Sequence, residues 1–260
     1  MSMKHSMHQY NTVNMKFIKK PNLPESRVSL AAISCKAGES IKKLNELGIN
    51  TLIIPSHPLL PEPVNSHADL QLLHFGGNVI FCQKEHLFEG ELNNKFNLKI
   101  IKEKTYNVYP HDVRLNCAII GNKIICNERT ISEDILEYAY INDYKIINVN
   151  QGYSKCSVCI INENSILTDD ESIFTAAGKF FDDAELISKG SIALKGYNYG
   201  FIGGCCGMID RTKMAFNGEI ETHKDYYKIL DILSRNNIEC IELAKGLLTD
   251  IGGILPLTAY

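Results

Sequence analysis

The sequence has no long apolar run and no concentration of positive charge. No apolar stretch approaches the roughly 18–20 residues that cross a bilayer, so no membrane-spanning segment is predicted. A net charge of −3 gives no sign of the dense basic face that a nucleic-acid partner normally requires. The lysines near the start are not followed by the apolar stretch of a signal peptide. We therefore predict a flexible leader at residues 1–24 and a single domain at residues 25–260.

Familiar catalytic and metal-binding motifs are also missing. The chain has no Gly-x-Ser-x-Gly elbow, no Walker loop and no dense group of histidines at metal-ligand spacing. Cys156 and Cys159 form a Cys-x-x-Cys pair, but residues three apart on a strand face opposite sides and chelate poorly. No metal ion and no cofactor are therefore expected. The nine cysteines lie mostly in apolar segments, which is typical of reduced, buried thiols in a cytoplasmic protein.

The sequence does contain an internal repeat. Five short apolar segments follow helix-like stretches and begin 49, 48, 46 and 46 residues apart, at residues 49–55, 98–102, 146–150, 192–195 and 238–243. Four units also carry two apolar runs around a tight turn, at residues 76–78, 121–122, 162–164 and 210–212. Most of these turns contain glycine or asparagine, as β-hairpin turns do. A fixed period of this length indicates one supersecondary unit used repeatedly.

Helix signals fall between the hairpins and the closing strands. Ser132 is predicted to cap one helix, and Thr222 with Asp225 to start the last one. A helix is expected within residues 40–47, and a short or poorly formed one between Glu85 and Asn97.

The two ends of the chain complement each other. The first unit, residues 27–55, has one strand before its helix, and the apolar residues 247–260 are predicted to supply the missing one. Such closure removes exposed sheet edges. The fold class predicted is α/β, with five ββαβ units in a five-fold pseudosymmetric propeller; an open doubly wound sheet is the alternative.

Five ββαβ units that close on themselves resemble the pentein fold, over roughly residues 27–260. The resemblance implies a central channel, contacted by the first strand of each unit, in which ligands bind. It also implies kinship with arginine deiminase, dimethylarginine hydrolase, agmatine deiminase and amidinotransferases. In those enzymes a cysteine thiolate attacks a guanidinium carbon, a histidine is the acid/base and carboxylates hold the planar cation. The superfamily also includes a ribosome anti-association factor without catalytic activity.

Counting back eleven residues from the turns places four residues in one register, which the resemblance assigns to the channel: His67, His111, Tyr153 and Phe201. Asp69 and Lys155 follow two positions later and are predicted to share the face of His67 and Tyr153, because strand side chains alternate. Asp112 and Arg114 likewise share a face, where a plain ion pair is the alternative. The residues predicted to bind the ligand are His67, Asp69, His111, Asp112, Arg114 and Lys155.

The late glycine-rich stretch departs from the pattern of the pentein enzymes. Residues 252–256 read Gly-Gly-Ile-Leu-Pro, and no cysteine follows Cys240, so the usual nucleophile is absent. The fourth unit also lacks a histidine at its start. A relocated nucleophile would be Cys156, beside Lys155, or Cys206, with His67 as the catalytic histidine.

Cys206 lies in a second glycine-rich stretch, residues 203–207. Its glycines permit either close approach of a ligand or tight packing of the backbone. Only one of Cys205 and Cys206 can face the channel, because neighbours on a strand point opposite ways.

These features favour a diverged pentein that binds a small polar or cationic ligand, guanidino- or amino-acid-like, in its channel. The alternative is an active amidine or guanidine hydrolase, or a transferase, acting on C–N bonds with a relocated thiol. A third hypothesis is ribosome or protein binding by the outer face of the ring.

Overall fold

The structure, a computed structural model, describes residues 16–84, 92 and 95–260. The predicted leader up to residue 15 lies outside the described residues, as does most of the helix expected between Glu85 and Asn97.

The described chain contains sixteen strands and five α-helices. The strands are β1 Lys16–Phe17, β2 Val28–Ser34, β3 Asn50–Ile54, β4 Leu72–Gly76, β5 Val79–Cys82, β6 Asn97–Ile100, β7 Ala118–Ile120, β8 Lys123–Cys126, β9 Lys145–Asn148, β10 Val158–Asn162, β11 Ser165–Thr168, β12 Asp183–Leu186, β13 Cys206–Asp210, β14 Lys213–Phe216, β15 Glu239–Glu242 and β16 Leu255–Ala259. The α-helices are α1 Gly38–Glu46, α2 Ala68–Gln71, α3 Glu133–Ile141, α4 Glu171–Ala177 and α5 Tyr226–Arg235. Among these described helices, none has the length and apolar character needed to cross a membrane.

The described strands form five small sheets of one design. Four sheets have the orders β4-β5-β6, β7-β8-β9, β10-β11-β12 and β13-β14-β15. In each, an antiparallel hairpin is followed by a parallel third strand. The hairpin turns fall at the four places that the sequence predicts. A parallel partner requires a crossover connection, and α3, α4 and α5 provide it in three of these sheets.

The fifth sheet is built from both ends of the chain. Its order is β1-β16-β2-β3, with β16 antiparallel to β2 and β2 parallel to β3. The last strand therefore supplies the partner that the first unit lacks, as predicted. Strand β1 pairs with β16 and Ile18 is 3% exposed, so the chain joins this sheet before the predicted domain boundary at residue 25.

Hydrophobic clusters lie between neighbouring sheets because successive strand residues face opposite sides. Ile119 packs with β4 and β5, whereas Ala118 and Ile120 pack with β10 and β11. In the same way Ala31 and Ile33 of β2 pack on β13 and β14, and Ala32 packs on β4 and β5. A strand buried on both faces reads as a continuous apolar run, which is what the sequence shows at these strands.

Three local predictions differ from the structure. The closing strand of the fourth unit is β12, not residues 192–195, where a single bridge joins Ala193 to Thr249. Helix α5 begins at Tyr226 after Asp225 without a side-chain cap, and the Thr222 hydroxyl bonds the Glu219 carbonyl instead. The cap by Ser132 is confirmed, since its side chain accepts from the Asp134 amide.

The third difference concerns the predicted channel residues. Residues 68–71 form the short helix α2, so strand alternation does not explain why His67 and Asp69 lie close together. Their proximity comes from one helical turn that precedes β4.

Candidate functional site

Three of the four register residues line one cavity of about 260 Å³: His67, Tyr153 and Phe201. Each precedes the first strand of its sheet by a few residues. The other lining residues are Val64, Cys156, Leu194, Tyr197, Asn198, Tyr199 and Asp250. We call this cavity the aromatic pocket.

Stacked rings form the wall of the aromatic pocket. The Tyr153 and Phe201 rings stack with centroids 6.1 Å apart, and Tyr109 also stacks with Tyr153 at 6.1 Å. Tyr199 meets Phe201 edge-on at 5.9 Å. Tyr197 is 47% exposed, which places it where the aromatic pocket meets solvent. Ring faces carry negative potential and attract cations, so this wall suits a positively charged ligand.

Asp112 contacts Tyr153, one of the residues that line the aromatic pocket. The Tyr153 hydroxyl donates a hydrogen bond to Asp112 Oδ2. Burial raises the pKa of Asp112, and the bond from Tyr153 opposes that rise. Burial and the neighbouring Asp112 hold the pKa of Tyr153 far above its usual value, so this hydroxyl stays protonated. Asp112 therefore orients the Tyr153 ring, and it is not among the described residues that line the aromatic pocket.

His111 and Arg114 bind each other. Arg114 Nη2 lies 2.9 Å from His111 Nδ1, and its Nη1 donates to the Thr130 carbonyl at 3.0 Å. The His111 ring packs edge-on against Tyr106 with centroids 5.6 Å apart. Within the described chain, neither His111 nor Arg114 lines the aromatic pocket.

Three buried side chains form the floor of the aromatic pocket. His67, Cys156 and Asp250 are 3%, 1% and 3% exposed. The Asp250 carboxylate accepts hydrogen bonds from the backbone N–H groups of Gly252 and Phe201, each at 3.0 Å. Its Oδ1 lies 3.6 Å from His67 Nδ1. Two backbone donors thus fix a carboxylate in place at the floor.

Asp69 is hydrogen-bonded to Cys156. Cys156 Sγ donates to Asp69 Oδ2 at 2.9 Å, and the Asn116 amide lies 3.3 Å from the same sulfur. Burial raises the pKa of Asp69 to about 6, against the opposing charges of Lys155 and His67. Burial, and then Asp69, raise the pKa of Cys156 well above that of an ordinary thiol. The Cys156 thiol is therefore protonated near neutral pH.

Lys155 and Asp69 meet away from the aromatic pocket. Both line a cavity of about 20 Å³, and Lys155 also lines one of about 10 Å³. Each has room for about one water molecule, and Asn22 lines both. Lys155 Nζ donates to the Gly203 carbonyl at 3.2 Å. In this arrangement the positive charge of Lys155 opposes the rise in the pKa of the buried Asp69 carboxyl.

The two candidate nucleophiles lie in different surroundings. Cys206 is 2% exposed in β13, belongs to an apolar cluster with Met214 and Phe216, and lines the cavity of about 10 Å³. Cys205 Sγ donates to the Ile202 carbonyl at 3.1 Å. Of the two predicted thiols, Cys156 is the one that lines the aromatic pocket.

The glycines near these cysteines serve close packing. A Cβ on Gly203 would lie 2.3 Å from the Val158 carbonyl oxygen, and one on Gly204 would lie 2.0 Å from Asp250 Oδ1. A Cβ on Gly252, whose φ is +76°, would lie 2.3 Å from His67 Cβ. Because glycine has no side chain, Gly204 leaves room for Asp250 and Gly252 leaves room for His67 at the floor of the aromatic pocket.

Sequence reasoning missed Asp250, Tyr197 and Tyr199. Residues 197–201 read Tyr-Asn-Tyr-Gly-Phe, an aromatic alternation whose last member had been identified. Asp250 stands two residues before the Gly-Gly pair of residues 252–253. Tyr197, Tyr199 and Asp250 do not occupy positions of the hairpin register, which is why counting from the turns does not reach them.

Known structures of similar fold include a DDAH and two amidinotransferases. The DDAH of Pseudomonas aeruginosa, as a mutant in complex with citrulline, aligns with a TM-score of 0.55 and 8% identity over 83% of this chain and 92% of that one. The amidinotransferase SxtG of Microseira wollei gives 0.54 and 9% over 87% and 91%. Inosamine-phosphate amidinotransferase StrB1 of Streptomyces griseus gives 0.55 and 9% over 88% and 91%. The chain therefore has the pentein fold, as the repeat predicts.

The sequence also assigns the chain to one protein family. Residues 32–255 match the family of unknown function DUF6873, and the chain belongs to that family. A comparison with curated proteins found no match.

Proposed function

We propose that the protein binds a small cationic ligand, guanidino- or amino-acid-like, in the aromatic pocket. The observation that carries this proposal is a cavity with a stacked aromatic wall over a floor holding the carboxylate of Asp250. Aromatic faces and a fixed carboxylate both favour a planar cation. At about 260 Å³ the cavity is slightly smaller than the roughly 300–1,000 Å³ of typical small-molecule sites, so it suits an amino-acid-sized ligand.

We also propose that the five sheets form a ring with five-fold pseudosymmetry. Apolar clusters join each sheet to the next, including the first sheet to the last. Strand β16 takes in the fifth sheet the place that β4, β7, β10 and β13 take in the others. These five strands contact one another in the order β7, β10, β13, β16 and β4. A ring of this kind puts the aromatic pocket at one end of the central channel and the two small cavities beyond its floor.

The predicted location follows from the thiols. Seven of the nine cysteines are buried in the described chain, as reduced thiols of a cytoplasmic protein commonly are, and this supports a reducing, cytoplasmic compartment. We also propose that the described chain forms one domain, which begins at β1 and extends to residue 260.

Arginine and citrulline provide a matched test of cation recognition. The two have nearly the same shape, but arginine carries a charged guanidinium group where citrulline carries a neutral urea group. We expect arginine or agmatine to bind at least tenfold more tightly than citrulline in calorimetric titrations with a chelator present. The reason is that citrulline gives the Asp250 carboxylate and the rings no positive charge. Equal affinity for arginine and citrulline, or no binding of any of the three, contradicts the proposal.

A substitution of Tyr197 tests whether the aromatic wall contributes to binding of the cation. Replacing Tyr197 with alanine removes one partly exposed ring of the pocket, and we expect arginine binding to weaken roughly 3- to 30-fold. Tyr227 is 81% exposed and does not line the pocket, so Tyr227→Ala is the matched control. Equal loss in both variants would point to a general effect on the protein.

A second candidate, an amidine hydrolase, is favoured by one observation. Donor atoms of His67, Asp69 and Cys156 all lie within 4.8 Å of one another. In this reaction the Cys156 thiol passes its proton to Asp69 or His67 and the sulfur attacks the amidine carbon. The amine departs with that proton, and water then hydrolyses the S–C bond, which restores the thiol.

Turnover measurements decide whether the hydrolase candidate holds. We expect ammonia or amine release from agmatine or arginine to fall more than about a hundredfold in Cys156→Ser, because the hydroxyl is a far weaker nucleophile. Cys35 is exposed, so Cys35→Ser is the control and should keep full activity. No release by the unmodified protein, or equal release by Cys156→Ser, removes this candidate.

A further inference from the structure

Three buried side chains of different metal-ligand chemistry converge at the floor of the aromatic pocket. An imidazole nitrogen of His67, a carboxylate oxygen of Asp69 and the sulfur of Cys156 lie within 4.8 Å of one another. All three residues are at most 3% exposed. Imidazole, carboxylate and thiolate are the ligand types that Zn²⁺ and Co²⁺ take in proteins.

Two of these side chains have buried atoms without a hydrogen-bond partner in the described chain. They are His67 Nδ1 and Asp69 Oδ1. The nearby carboxylate oxygen of Asp250 is 3.6 Å from His67 Nδ1, beyond hydrogen-bond distance. Buried polar atoms are normally satisfied, so two unpartnered atoms on side chains that converge with Cys156 call for an explanation.

The distances fit a tetrahedral ion after small side-chain rotations. With bonds of roughly 2.0–2.3 Å to nitrogen, oxygen and sulfur, neighbouring ligand atoms sit roughly 3.3–3.8 Å apart. Cys156 Sγ and Asp69 Oδ2 are already 2.9 Å apart, and a metal would replace the proton between them. Since His67 and Cys156 also line the aromatic pocket, the fourth position would face that cavity.

Charge balance also favours a divalent ion here. A thiolate, a carboxylate and a neutral imidazole carry two negative charges, which one divalent cation neutralises in a buried place. Binding releases the thiol proton to solvent, and no electron is transferred. The Asn116 amide, 3.3 Å from the sulfur, would donate to the thiolate as an outer partner.

We propose that His67, Asp69 and Cys156 bind one divalent transition-metal ion, with its fourth position open to the aromatic pocket. This site goes beyond the ligand-binding proposal and beyond the sequence prediction of no metal. It does not depend on either candidate function.

Cobalt is the probe because its spectrum reports the ligands. Protein dialysed against a chelator and then freed of it is titrated with CoCl₂. We expect one equivalent to bind, with the visible absorption of four-coordinate Co²⁺ and a near-ultraviolet thiolate-to-cobalt band. Addition of ZnCl₂ should abolish both signals, since zinc binds such sites more tightly than cobalt.

Variants assign the signal to the three residues. Cys156→Ser should lose the thiolate band and weaken cobalt binding more than about a hundredfold, because even outer-shell partners are worth 10–100-fold. Asp69→Asn should keep the thiolate band with weakened binding, which covers the case in which Cys156→Ser does not fold. Cys35→Ser, with an exposed thiol removed, should bind as the unmodified protein does.

Several outcomes would overturn the metal site. They are no stoichiometric uptake, a thiolate band that persists in Cys156→Ser, and a band that disappears in Cys35→Ser. The titration contains no organic ligand and the arginine calorimetry contains chelator, so failure of one proposal is seen separately from failure of the other.

Discussion

Replacing Gly203 with alanine is expected to destabilise the protein by about 3 kcal/mol or more. The new Cβ would lie 2.3 Å from the Val158 carbonyl oxygen and 2.5 Å from that of Lys155. Both obstacles are backbone atoms, so no side chain can rotate away, and the chain before β10 must shift. The same shift would move the Gly203 carbonyl, which accepts from Lys155 Nζ.

Gly38 provides the control for that substitution. It is the first residue of α1, and a Cβ there would meet nothing within 4 Å. Gly38→Ala should change stability by less than about 1 kcal/mol, in the stabilising direction, because alanine favours helix and restricts the unfolded chain. Urea unfolding followed by circular dichroism measures both variants. If Gly203→Ala unfolds at the midpoint of the unmodified protein, the close packing described for residues 203–207 is wrong.

The repeat could be predicted from the sequence at those hairpins where the turn residues and the buried apolar strands indicate the same boundaries. Turns containing Gly77 or Gly121 lie between largely buried strands, so the apolar runs and the turn residues mark the same hairpins. The pairing of β16 with β2 was also predictable, because the first unit lacked a partner and the last apolar segment lacked a helix.

Strand β12 could not be predicted because its residues are not strand-like. It reads Asp-Ala-Glu-Leu and is half-buried throughout. Its place is fixed by parallel pairing with β11 and by Arg235 of α5, which binds the carboxylates of Asp183 and Glu185. Ile192, which the sequence favoured, packs as a buried residue in the cluster around Ile202. Tertiary contacts thus override local propensity here.

The candidate site was predicted in part for a related reason. His67, Tyr153 and Phe201 belong to the repeated register, so counting from the turns found them. Tyr197 and Asp250 lie in irregular connections that the repeat does not contain, and a single bridge between Ala193 and Thr249 joins those two connections. Residues added to a repeat outside its period leave no periodic signal.

Asp169 is expected to make the protein less stable as the pH rises from about 4 to 7. The side chain is 2% exposed; its Oδ2 accepts from the Ile202 amide, and its Oδ1 has no partner in the described chain. Burial raises the pKa of Asp169 from 3.8 to about 7, although the Ile202 amide and Lys189 oppose that rise. The folded protein thus holds a proton that the unfolded chain releases above about pH 4. Stability from this group is complete at low pH and is lost as the pH rises through about 7.

Asp169→Asn keeps the shape of the side chain and removes its titration. Relative to the unmodified protein, the variant should gain roughly 2–3 kcal/mol of unfolding free energy between pH 5 and pH 8, since each pH unit inside the window is worth about 1.4 kcal/mol. Asp182 is exposed, and Asp182→Asn makes the same chemical change at the surface, so it is the control variant. Urea unfolding at the two pH values gives both differences. A constant difference for Asp169→Asn would mean that this carboxyl is ionised in the folded protein, and that a further positive group lies beside it.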